Sequence, residues 1–396
     1  MTLDRQILLN ILALDKGFEE FEFIHSYLGP PIIRKLSAKI PVKMAYENLH
    51  TLRELVRSDF DDEPPFYRAT YVDDLIQSVL AQTEYFVLGV RSDSTKSLAE
   101  RFLGFETLPP YDLGEELRVL REGLDDYGYG SVGEYRKARQ LLTFASPQQL
   151  SRYVHRLCDE LSLRIKNRLA PLFHFDMAPL LNRSQLRVTA TKKDDPPCFY
   201  RYLGDFHGMV GLSVKKNYFR DYLENFITHE ILPGHHFYYL VKQQYLNSGT
   251  GDALMAIDTY YSPENLINEG LAVNSDLLFG EAWDARTSCT LAIDKYLHKI
   301  YHNAWHALNV SCGRPDPLCQ DILESEFGLS RVEALTRLNY FTQEARWYTP
   351  SYSQGIHHVG HFINACGRAL VPLLYGQHSV NTLKKLENYH EHTHAA

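Results

Sequence analysis

The stretch Thr228-His229-Glu230-Ile231-Leu232-Pro233-Gly234-His235-His236 brings three imidazoles and a carboxylate into one short run. Ahead of it, Tyr218, Phe219, Tyr222, Leu223, Phe226 and Ile227 recur at helical spacing. The chain is therefore expected to reach His229 on one face of an amphipathic helix, with Glu230 on its flank. In the familiar zinc-protease motif, two histidines one turn apart share the metal and the glutamate beside the first activates water. Here the fourth position after His229 is Pro233, which cannot ligate and denies the His229 carbonyl its helical hydrogen bond. A straight helix would hold His229 and His236 about 10.5 Å apart along its axis. Two nitrogens each about 2.0–2.1 Å from one zinc must lie much closer. The Pro233-Gly234 pair supplies a break, after which a new turn can bring a histidine back beside His229. His235 is favoured as the second ligand, and His236 stays open as the alternative.

A third ligand is offered downstream. Ser262-Pro263-Glu264-Asn265 is a helix start, with serine as cap and proline at the first helical position. It leads into Leu266-Ile267-Asn268-Glu269-Gly270-Leu271-Ala272, where Glu269 sits among apolar neighbours. Gly270 costs the helix about 1 kcal/mol relative to alanine, which makes sense if another helix or a ligand must come close there. The competing reading of Glu269 is a solvent-facing glutamate.

The His229-Glu230-x-x-Pro233-Gly234-His235-His236 run, the Glu269-Gly270-x-Ala272 run and Pro196-Pro197-Cys198-Phe199-Tyr200 together resemble the domain-of-unknown-function 885 family. That family is mostly bacterial, mostly helical and regarded as zinc metallopeptidase-like. The resemblance covers roughly the second half of the chain. It implies a zincin-like, gluzincin-type architecture, with two histidines and a downstream glutamate on Zn2+. The chain is similar, less closely, to the dipeptidyl peptidase III family, whose second histidine directly follows a glycine, and that analogy favours His235. There are departures. Leu271 and Asn274 stand where the family carries tryptophan and tyrosine, and Asn309-Val310-Ser311-Cys312-Gly313 lacks its aspartate and histidine. The run Arg346 to Gln354 keeps the arginine, proline and glutamine, but His358 and Val359 replace a later tyrosine and lysine. The resemblance thus implies a retained metal site inside a rebuilt substrate shell.

Composition bounds the remaining possibilities. At 396 residues, with 44% hydrophobic and 23% charged, the chain reads as a globular protein able to bury a large core. A net charge of -8 argues against a nucleic-acid or anionic-membrane partner, each of which needs clustered positive charge. The amino terminus lacks the pattern of an export signal, so a cytoplasmic location is expected. Six cysteines without paired spacing are expected to be free thiols.

Residues 1–185 are expected to form a helical lobe, with helices over 8–14, 44–56, 71–85, 115–124, 134–142 and 147–169 and breaks near Gly29-Pro30-Pro31, 61–65 and Leu108-Pro109-Pro110. Gly128-Tyr129-Gly130-Ser131-Val132-Gly133 has dinucleotide-motif spacing, but no strand precedes it, and a turn between helices explains it better. Residues 186–396 are expected to form the metal-binding lobe around a cleft. They begin with short β-branched runs at 186–191 and 209–214 and a weaker strand at 199–203, a small sheet beside the site. Helices are expected over 288–310, 317–326, 331–344 and 355–374. His298, His302 and His306 read as one helix face, and His357 with His361 as a polar groove. No linker is long enough to free one lobe from the other.

The fold class expected is therefore mainly α with a small β-sheet near the site. The expected activity is a mononuclear zinc hydrolase acting on a peptide, an amide or a small amide-like substrate. His229, His235 or His236, and Glu269 would hold the metal, and Glu230 would be the general base. Tyr352, His358 or Arg346 would donate to the developing oxyanion. Two alternatives stand beside it. One is a small-molecule biosynthetic enzyme on a reused peptidase scaffold, using zinc or non-haem Fe2+, which suits the same ligand set. The other is an inactive scaffold or binding protein.

Overall fold

Apolar residues at three- and four-residue spacing fold most of the chain into helix, 68% against 8% strand, so helix packing carries the architecture. The computed structural model describes residues 2–19, 22–59, 62–64, 67–91, 94–191, 198–213, 217–280 and 283–394. Pro196, Pro197 and Val214, with parts of the 61–65 break, lie outside them. Among the described residues no helix is long and apolar enough to cross a membrane.

The sheet beside the site has three strands, Gln185–Ala190, Cys198–Gly204 and His207–Leu212, with the last in the middle. It pairs parallel with the first strand and antiparallel with the second. Cys198–Gly204 is thus an edge strand. Two shorter pairings join distant parts of the chain, Ile24–Tyr27 with Ile257–Thr259 and Leu141–Leu142 with Tyr218–Phe219. The second corrects two expectations. The helix expected over 134–142 stops at Ala138, and Tyr218 and Phe219 precede the histidine-bearing helix rather than opening it.

Three buried clusters form the interior, and each draws on residues from both sides of position 185. The lobe boundary expected there does not divide the packing. Helix Pro263–Val273, capped by Ser262 through its hydroxyl, crosses helix Thr349–Cys366 at two glycines. A Cβ on Gly270 would lie 2.5 Å from the Gly355 carbonyl oxygen, and one on Gly355 would lie 2.6 Å from that of Leu266. The close approach expected at Gly270 is a helix crossing. Asn274, where the resembled family has tyrosine, locks it by donating to Gly270 O and Ile356 O. The helix expected over 355–374 breaks after Cys366, where Gly367 takes a positive φ. Gly128 and Gly130 lie in the turn between helices Leu113–Asp125 and Val132–Ala138, Gly133 is in the first turn of the second, and all six cysteines are free.

Candidate metal centre

Helix Arg220–Glu230 ends directly after its histidine-glutamate pair, and helix His235–Ser248 begins on the far side of Pro233-Gly234. The turn is so tight that a Cβ on Gly234 would lie 1.6 Å from the His229 carbonyl oxygen. Glycine is required there by contact, since its φ of -74° is open to any residue. The Leu232–Pro233 peptide bond is cis.

The fold-back brings His235 beside His229, with ring centroids 4.8 Å apart and planes nearly perpendicular. Glu269 reaches both from Pro263–Val273, its Oε2 3.3 Å from His229 Nε2 and its Oε1 3.4 Å from His235 Nε2. Two ligands each about 2.0–2.1 Å from a tetrahedral zinc stand about 3.3–3.4 Å apart. The donor atoms of all three residues lie within 4.8 Å of one another. Glu269 is 2% exposed, which removes its reading as a solvent-facing side chain, and its Oε2 accepts no hydrogen bond among the described residues. A deeply buried carboxylate with an unsatisfied oxygen and two imidazole nitrogens facing it fits a divalent cation.

Outer contacts hold these groups in place. His235 Nδ1 donates to Asn268 Oδ1 at 3.1 Å, which leaves the Nε2 lone pair toward Glu269. Tyr348 OH donates to Glu269 Oε1 at 2.5 Å. Burial works against charge on His235, but Glu269 outweighs it and raises its pKa to about 10. Burial likewise opposes charge on Glu269, and the two imidazoles reverse that and hold its carboxyl well below the usual range. In the absence of a cation the cluster thus draws in a proton as its positive charge.

These residues line a cavity of about 970 Å3. Glu230 is on its wall, and its carboxylate makes no hydrogen bond or ion pair among the described residues, leaving both oxygens available as a base. Tyr352 is on the same wall, stacked on the His298 imidazole at 4.6 Å. Burial, then the Glu269 and Glu230 charges, push the Tyr352 hydroxyl far above its ordinary value, so it remains a proton donor. Burial lowers the His298 pKa to about 4, so its ring is neutral.

Three expected site residues are placed elsewhere. His236 points to the sheet side, where Ser184 Oγ is 2.8 Å from its Nε2 and Tyr200 OH is 2.9 Å from its Nδ1. With both ring nitrogens occupied it has no lone pair for a metal, and its burial lowers its pKa to about 3. A Cβ on Gly208 would lie 2.7 Å from His236 Nδ1, so the central strand closes over the ring. His358 follows Tyr352 by six residues, about 120° around the helix. It is buried away from the cavity, with His357, Lys384 and His361 as its neighbours. Arg346 lies over the Trp347 ring, 4.9 Å from its centroid, and is not on the cavity wall.

Other residues at the site were not singled out in the sequence. Tyr348 shares a helical face with Tyr352, and Asn268 adjoins Glu269, so each was signalled by spacing. His298 was hidden in the 298–302–306 column, which the structure splits. His302 bonds Ser353 and the Leu108 carbonyl, while His298 faces the cavity. His361 pairs with Glu387 at the surface.

No family model matches the chain, and no curated protein matches it. Among solved structures, the fold is similar to that of a protein described as "the putative lipoprotein from Colwellia psychrerythraea". The TM-score is 0.54 and the sequence identity 14%, over 88% of this chain and 69% of that one. At that identity the likeness bears on the fold alone.

Proposed function

We propose that the protein is a zinc-dependent hydrolase of an amide bond in a peptide or small amide-like substrate, within a zincin-like architecture. The observation that carries the reading is the convergence of His229, His235 and Glu269 at ligand spacing, with the unpaired Glu230 carboxylate beside them. The motif's resemblance to the domain-of-unknown-function 885 family supports it. Bound between those three side chains, zinc would supply Lewis-acid polarisation of the substrate carbonyl and a lowered pKa for water.

The chain's own groups do the rest. Glu230 takes a proton from the attacking water as the water oxygen bonds to the carbonyl carbon. The Tyr352 hydroxyl donates to the carbonyl oxygen as negative charge gathers on it. Glu230 then passes its proton to the amide nitrogen as the C–N bond breaks, giving a carboxylic acid and an amine. Asn268 and Tyr348 keep the ligands oriented throughout.

Elemental analysis of the purified chain and of three variants tests this. Zinc should be present in the wild type, absent from His229→Ala and Glu269→Gln, and retained by Glu230→Gln. Amide turnover in Glu230→Gln should fall about 10²–10⁴-fold. A wild type without metal, or a fully active Glu230→Gln, overturns the reading. Because two histidines and one carboxylate also suit non-haem iron, iron in place of zinc would favour the second reading, a small-molecule enzyme on this scaffold.

A further inference from the structure

Among the described residues, the cavity wall that carries the metal-centre side chains also carries three arginines, Arg136, Arg139 and Arg337, and no lysine. Arg139 is already compensated, its Nε 2.8 Å from Asp221 Oδ2 and its guanidinium 4.2 Å above the Phe219 ring. Arg136 is partly buried on helix Val132–Ala138 and makes no hydrogen bond or ion pair among the described residues. Arg337, exposed on helix Arg331–Asn339, makes no ion pair among them either and reaches the Tyr301 hydroxyl as its polar neighbour. Since Asp221 pairs with Arg139, Arg136 and Arg337 keep no direct ion-pair partner among the described residues and are offset only partly, by the Glu333 carboxylate. The acidic group that acts on both, Glu333, is solvent-exposed and engaged in the Ser330 capping box.

Partial burial disfavours charge on Arg136, and the neighbouring Arg139 and Arg337 disfavour it further, lowering its pKa. Like charges gathered on a cavity wall are unfavourable for folding, and an anion binding there would relieve them. Guanidinium forks match a carboxylate in two-point geometry, which a lysine ammonium cannot do. The subsite shares this cavity with the metal-centre side chains. Tyr222 and Tyr301 line the cavity within electrostatic reach of both Arg337 and Asp294, and Asp294 is within reach of His229.

We propose that Arg136 and Arg337 form a carboxylate-recognition subsite, so that the substrate is an amide bearing a free carboxylate, such as a peptide with its terminal carboxyl or an acylated amino acid. Cleavage of that substrate rests on the hydrolase reading; recognition of its carboxylate does not.

Calorimetric binding of N-benzoyltriglycine and of its C-terminal amide to the full chain, both metal-stripped and zinc-loaded, separates the two. The acid should bind about tenfold or more tightly than the amide in both states. In the double variant Arg136→Gln/Arg337→Gln the preference should vanish while affinity for the amide stays unchanged. Equal binding of acid and amide, no binding of either, or a preference that survives the double variant each overturns the subsite. If the chain takes up no metal yet keeps an arginine-dependent preference, the subsite stands and the hydrolase reading falls. If zinc binds and amides are cleaved without the preference, the reverse holds.

Discussion

At the scale of single residues, two adjacent histidines have opposite surroundings. His235 offers Nε2 to the Glu269 carboxylate, whereas both nitrogens of His236 are occupied by Ser184 and Tyr200. His235→Ala should abolish metal uptake and leave the remaining core in place. His236→Ala should retain the metal but lower stability by about 2–4 kcal/mol, since it opens a cavity and orphans two hydroxyls. Metal analysis and thermal unfolding of the pair check this, and zinc loss in His236→Ala alone would reverse the assignment. A second prediction concerns Asp294 on the cavity wall, where burial raises the carboxyl pKa to about 6. The folded state therefore binds this proton more tightly than the unfolded state, whose value is 3.8. Its contribution to stability is most favourable below 3.8 and declines as pH rises toward about 6. Asp294→Asn should remove that decline, gaining stability over wild type at pH 8, as denaturant unfolding at several pH values would show. A wild-type curve unchanged by the substitution would mean that Asp294 does not titrate in this range.

At the scale of elements, the centre depends on one tight turn and one close crossing, both made by glycines. Gly270→Ala or Gly355→Ala drives a methyl into the opposing backbone, which cannot move aside as a flexible side chain could. Overpacking of this kind costs about 1–3 kcal/mol, and because Glu269 adjoins Gly270, separating the helices also withdraws the carboxylate. Both variants should therefore lose zinc affinity together with thermal stability; a destabilised variant with unchanged affinity would uncouple crossing and site. Much of this was legible in the sequence. The Ser262-Pro263 cap, the break at Pro233-Gly234 and the crowding at Gly270 each follow from one residue's backbone chemistry. What was not legible depends on direction rather than on spacing. Nothing local tells that His236 meets Ser184 and Tyr200 beside the sheet, or that His298 alone of its column reaches the cavity. His358 and Arg346 are candidate oxyanion donors by chemistry alone, and helical phase turns His358 away from the cavity.

At the scale of the whole molecule, the half that carries the candidate metal ligands cannot stand apart from the helices before it. Strand Ile257–Thr259 pairs with Ile24–Tyr27, and Leu254 and Ile257 are buried in a cluster otherwise made of residues 7–80. Glu264, on the same helix as Glu269, is bound in the interior by Lys242 and by the Tyr71 hydroxyl at 2.9 Å, the latter from the first half. Phe102, Leu150, Val154, Leu161 and Ile165 are buried in the cluster that also contains Ile227, Phe237 and Leu266. Removing residues 1–185 would expose the facing side chains at about 1.5–3 kcal/mol for each large one. A handful of these exceeds the net stability of about 5–15 kcal/mol typical of a folded protein. The fragment 186–396, although it contains every candidate metal ligand, should accordingly give no cooperative unfolding transition and take up no zinc. Co-expression with 1–185 should restore both, because the interface between the halves is a core and not a hinge. Circular dichroism melting and metal analysis of the fragment, alone and paired, check this. A separately folded, zinc-binding 186–396 would show that the shared clusters add little to the stability of the site.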